Sequence, residues 1–129
     1  MYLFNTTPQF LHEITAWKKL LDCFIQENSF LKTRLSKAVD KENDRQFIAR
    51  AELFHSEFIV KDELMLGTRK DIREQEKKLV LMQKLKISPD VIAGGRQDRL
   101  RNEMALLENE FAGLKSRFDK YLLSCVGKQ

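Results

Sequence analysis

Little in this chain serves covalent cross-linking, sharp turning or metal chemistry. Its 129 residues include two cysteines, two prolines, five glycines and two histidines. Cys23 and Cys125 are too few for a disulfide framework and form no CxxC pair, so they are expected to be buried thiols in a reducing compartment. No window approaches ~18 uninterrupted apolar residues, which excludes a membrane-spanning helix, and no membrane partner is expected. The opening MYLFNTTPQF has neither a basic stretch nor a long apolar run, so a signal peptide is not expected and the location reads as cytoplasmic.

What is present is apolar and charged in near balance. Hydrophobic residues make up 43% and charged residues 33%, a helical-bundle composition rather than a disordered one. The net charge of +4 is spread evenly. Residues 1–39 carry five basic and three acidic side chains, 40–86 eleven and ten, and 87–129 seven and six. With no cluster to focus a field, nucleic acid is disfavoured as a partner.

The apolar residues repeat with the period of a coiled coil. Thr7 and Pro8 suit a helix start. From there Ile14, Trp17, Leu21, Phe24, Asn28, Leu31, Leu35 and Ala38 alternate spacings of three and four, predicting a first helix over about 8–39. The same phase continued would place Glu42, Arg45 and Glu52 in the core. Apolar residues resume instead in a new phase at Phe47, Ala51, Phe54, Phe58 and Met65, which predicts a tight turn near 40–44 with Asn43 and Gln46 as its cap.

The second helix is expected over about 43–86, with Phe58, Met65, Ile72 and Leu79 at intervals of seven. Gly67 inside it costs ~1 kcal/mol relative to alanine without ending it. Ser88-Pro89 stops it, and Gly94-Gly95 is expected to reverse the chain. A third helix over about 96–125 carries Leu100, Met104, Leu107, Phe111, Leu114, Phe118, Tyr121 and Cys125. The fold class is all-α: residues 1–129 form one elongated, antiparallel up-down-up bundle of three long helices with heptad packing. Its outline resembles a spectrin-type three-helix coiled coil, in architecture alone.

Between 47 and 66 the second helix is apolar nearly all round. Ile48, Ile59 and Leu66 lie at about 120° on a wheel of ~100° per residue, and Leu53, Val60 and Leu64 near about 260°. A three-helix bundle needs only one stripe, so the second flank seeks another partner, with Phe30 and Cys23 on the first helix pointing the same way. The second helix is also expected to outrun its neighbours by about a dozen residues, ~18 Å. The expectation is a homo-oligomer, a two-fold dimer before others. Phe30, Leu53, Val60 and Leu64 are the candidate interaction surface.

The chemical candidates are few. Glu52 and His55 have the Glu-x-x-His spacing of two-metal bundle sites, but such sites use two copies and more inward carboxylates. His55 falls at the core margin on the wheel and Glu52 toward water. No cofactor or metal is expected, and a helical-bundle metalloprotein using Glu52 and His55 is the remotest alternative. His12 and Glu13 read as solvated. Arg69, Lys70, Arg73, Lys77 and Lys78 form the densest basic stretch, interleaved with Asp71, Glu74 and Glu76 as on a solvated face. A nucleic-acid binder using 69–78 is the nearer alternative. Asn28, polar in the middle of the first seam, is expected to set helix register. The reading that follows is a non-enzymatic scaffold or adaptor that self-associates and binds another protein of unspecified identity.

Overall fold

The computed structural model describes residues 6–126, and of Cys125 and Val126 only the backbone. Three helices follow one another: α1 (Thr7–Asp40), α2 (Arg45–Lys84) and α3 (Val91–Val126). Among the described residues there is no strand. Each helix starts where a side chain can satisfy its free amides, although every such cap is one residue or more from its expected place. Thr6, not Thr7, caps α1: its hydroxyl accepts from the Gln9 amide at 3.4 Å, and the Gln9 side chain accepts from the Thr6 amide at 3.3 Å. Thr7 is buried and donates its hydroxyl to the Ile87 carbonyl at 3.2 Å, tying the start of α1 to the turn after α2.

The expected hairpin is present. Glu42 Oε1 accepts from the amides of Asn43 and Asp44 and tightens the first turn. Asp44, not Asn43, then caps α2 by accepting from the Gln46 amide at 2.9 Å. A carboxylate is the better acceptor beside the partial positive charge of a helix start.

The second reversal corrects the sequence reading. Gly94 and Gly95 do not turn the chain; they lie in α3, which starts at Val91, not near 96. Asp90 is responsible: its carboxylate accepts from the Ala93 amide at 2.7 Å, and its carbonyl accepts from Gly94 at 2.9 Å. The reversal is made at Lys86 instead, the one described non-glycine residue with positive φ (55°). Around it the Ile87 amide bonds the Met82 carbonyl and the Lys86 amide bonds that of Gln83, the paired bonds of a Schellman motif.

Ion pairs and hydrogen bonds between helices report the direction and register of each. Lys18 meets Glu76 and Asp22 meets Arg69, so α1 and α2 run antiparallel. Glu57 meets Arg117 and Lys61 meets Glu110, so α2 and α3 do too. Hydrogen bonds from α1 to α3 span sequence separations of 84 to 88, which makes those two helices parallel. At ~1.5 Å per residue, the 40 residues of α2 extend ~60 Å, so the bundle is a rod.

Burial follows the spacings of three and four. Ile14, Leu31, Phe58, Met65, Ile72, Leu79, Leu114 and Phe118 are completely buried. Phe24 and Ala38 are only partly so, and Cys125 lies outside the described side chains. Aromatic rings fill the end nearest the first turn: Phe58 meets Phe118 edge-on at 5.1 Å, and Tyr121 stacks on Phe47 at 4.8 Å while donating its hydroxyl to the Phe47 carbonyl. Cys23, expected to be buried, is exposed, because α1 turns it away from the stripe that meets α2 and α3.

The strained position yields a test. Lys86→Gly removes the Cβ that the left-handed conformation crowds, and should stabilise the fold by about 0.5–1 kcal/mol. A urea midpoint for Lys86→Gly at or below that of the parent would contradict the role given to this residue.

Candidate interaction surface

Most of the polar groups withdrawn from water here are amides that join helices. Asn28 is completely buried, and its Nδ2 donates to the Phe58 carbonyl at 3.0 Å and to Asp62 at 2.7 Å. Asp62 also holds Lys32, so one carboxylate serves two α1 residues. Gln75 and Gln97 are buried at the other end of the rod. Gln75 Nε2 donates to the Ala93 carbonyl at 3.0 Å and to Gln97 Oε1 at 3.1 Å. Gln97 Nε2 donates in turn to the Phe10 carbonyl and to Glu13.

Glu13, expected to be solvated, is thus half-buried and also grips Arg101 through two bonds of 2.6 and 2.8 Å. The hydrogen bonds that Arg101 donates to Glu13 push its pKa above the ordinary value; burial opposes this and Asp98 adds to it. Sequence reading missed Gln75 and Gln97. The signal was present, since they fall three residues after Ile72 and three before Leu100, on the seam itself.

The outer face of α2 is apolar as expected. Leu53, Val60 and Leu64 are 68%, 52% and 47% exposed, and Ile59 and Leu66 on the other flank are exposed as well. Ile48 alone of that set is partly buried against the core. Val60 and Leu64 face a long groove between α2 and α3. One stretch of about 550 Å³ is lined by Val60, Gly113 and Leu114 under the Glu57–Arg117 and Lys61–Glu110 pairs. The next, about 390 Å³, is lined by Leu64, Gly67, Leu106 and Leu107. Gly67 and Gly113 each line one of these stretches without a side chain, and a Cβ at either would stand in open space. Leu106, Gly113 and the place of Gly67 in a groove were not identified from sequence. Leu106 could have been, as an apolar residue between the seam positions Met104 and Leu107.

Phe30 is exposed but does not join this groove. Its neighbour Arg34 lies 6.0 Å from its ring centre and 5.6 Å from that of Phe118, and pairs with Asp119 on the α1 side of α3. Glu52 and His55 are both exposed on α2, so His55 is not at the core margin: the rings of Phe54 and Phe58 fill that margin and turn it outward. Among the described residues, no three His, Cys, Asp or Glu side chains gather closely enough to hold a metal ion. The basic stretch divides between two environments. Arg69 is tied to Asp22 and Glu76 to Lys18, while Lys70, Arg73 and Lys77 are exposed.

The two glutamines should behave as a unit. Gln97→Leu leaves the buried Gln75 amide short of an acceptor and should cost about 1–3 kcal/mol. The pair Gln75→Leu with Gln97→Leu should cost less than the two single changes summed, and denaturation of all three variants measures the difference. No family model, curated protein or solved structure matches this chain.

Proposed function

We propose that this protein is a non-enzymatic cytoplasmic scaffold that self-associates and engages another protein through helical surface. The observation that carries the reading is the exposed row Leu53, Val60 and Leu64 beside the α2–α3 groove. Three large exposed apolar side chains stand on one side of one helix, with Ser56 and Glu57 between Leu53 and Val60, and a soluble protein covers such a surface with a partner. A second copy related by a two-fold axis is the commonest way to cover it. The overhang expected of α2 adds little to this: α2 has 40 residues against 34 and 36, so it outruns its neighbours by only ~6–9 Å. The row therefore carries the reading alone.

The non-enzymatic reading rests on where polar chemistry is placed. The NH2 groups of the buried amides are engaged in joining helices, and His12 and His55 are exposed on different helices. Asn28 is assigned the task of register. A polar group at a seam position costs stability, but here its donors fit only one alignment, that of Phe58 and Asp62. The buried spacing of three and four supports coiled-coil packing of the three helices.

Two measurements test this. Leu53→Glu with Leu64→Glu should reduce the mass measured by light scattering from oligomer to monomer, with helicity unchanged; a mass that does not move would sink the assignment. Asn28→Leu should raise the thermal midpoint, by about 1 kcal/mol or more in stability, while broadening the distribution of oligomers. A more stable variant with an unaltered distribution would deny Asn28 its role in register.

A further inference from the structure

A separate group of apolar side chains lies at one end of the rod, around the second reversal. Leu81 and Leu85 stand one helical turn apart at the close of α2, Ile87 lies in the turn, and Val91 and Ile92 begin α3. All five are exposed, Val91 to 91%. They project from a chain reversal rather than line a groove.

The charge close around them is largely positive. From Lys77 to Gly95 the chain carries Lys77, Lys78, Lys84 and Lys86 against one acid, Asp90, whose carboxylate is engaged in capping α3. Lys18, Lys32, Lys61 and Lys115 are each matched to an acid on another helix, whereas these four lysines, like Lys70 and Arg73 farther along α2, are in no ion pair among the described residues. The N-termini of α1 and α3 both lie at this end, and neither helix has an acid in its first turn. Two partial positive charges thus meet the one partial negative charge of the α2 C-terminus at this end.

We propose that this tip docks on an anionic lipid surface, with Leu85, Ile87, Val91 and their neighbours entering the headgroup boundary and the lysines meeting lipid phosphates and carboxylates. Peripheral attachment of useful strength takes two signals, apolar insertion and a cluster of cations, and both are present within a few turns of helix. A second copy would set like charge against like. An acidic partner helix would be expected in a concave groove, which a protruding reversal does not offer. No helix of the described residues is long and apolar enough to cross a membrane, and this contact needs none. The sequence reading weighed only spanning segments, and the tip revises its expectation of no membrane partner.

The test is sedimentation of the full chain with vesicles of phosphatidylcholine alone and of phosphatidylcholine with about one third phosphatidylserine. The expected result is binding to the second only, weakening as salt is raised. Lys84→Gln with Lys86→Asn should weaken it roughly 25-fold, at about fivefold per lysine, with asparagine chosen to suit the positive φ. Leu85→Ser with Val91→Ser should abolish it at unchanged helicity, since both side chains are exposed. The proposal is overturned if neither vesicle binds, or if the Leu85 and Val91 variant binds as the parent does. It is equally overturned if that variant changes the solution mass, which would give the tip to a second copy. Binding to duplex DNA without binding to vesicles would give the lysines to nucleic acid and also overturn it.

Discussion

The amide of Gln97 joins all three helices. It accepts from Gln75 on α2 and donates to Phe10 and Glu13 on α1, from a position within α3. That matters because α1 and α3 are parallel neighbours with no short connection between them. The hairpin turns set α1 against α2 and α2 against α3, but the axial position of α1 on α3 has to come from side chains. Apolar packing alone tolerates a slip of one heptad at modest cost, whereas a buried amide out of register loses its partners entirely. Glu13, Arg101, Glu27, Lys115, Arg34 and Asp119 then repeat the same offset toward the far end. Exposed pairs of this kind contribute ~0–1 kcal/mol each, so they follow a register more than they set it.

The division of the core is chemical as well as geometric. One end is aromatic, with Phe47, Phe54, Phe58, Phe118 and Tyr121 in mutual contact. The other end holds the glutamines. Rings interlock and define how far the helices stand apart, while amides define how the helices are staggered. Asn28 stands between the two, on the α1–α2 seam. The rod is thus pinned at intervals, and the outer faces are left free to carry whatever the molecule must meet.

How far this could be read from sequence depended on whether a feature was periodic. The three helices and their order followed from spacing, because a stripe every three or four residues has one stable answer in water. The first turn followed from a change of phase. The second did not, because Gly94-Gly95 suggested a reversal while the stronger acceptor of Asp90, four residues earlier, had already begun the helix. Glycine permits a turn, but a carboxylate at a helix start enforces the opposite. Gln75 and Gln97 were invisible to a search for apolar stripes, although they occupy stripe positions. Exposure of Leu53, Val60 and Leu64 was legible from the wheel. The groove beside them was not, since it depends on how α2 and α3 stand against each other along their length.

The bond from Thr7 to Ile87 has a bearing on synthesis. A ribosome releases α1 and α2 before α3, so the nascent hairpin presents the α3-facing side of Phe58, Met65, Ile72 and Leu79 with nothing yet to cover it. Thr7 can find the Ile87 carbonyl as soon as that turn emerges, which latches the open end of the hairpin while the last third of the chain is still being made. The helix that follows is then delivered beside a paired, aligned template rather than two loose strands of chain. Its first buried polar contact, Gln97, lies close to the latch, so zipping from that end toward the aromatic cluster is the direction in which the chain itself arrives.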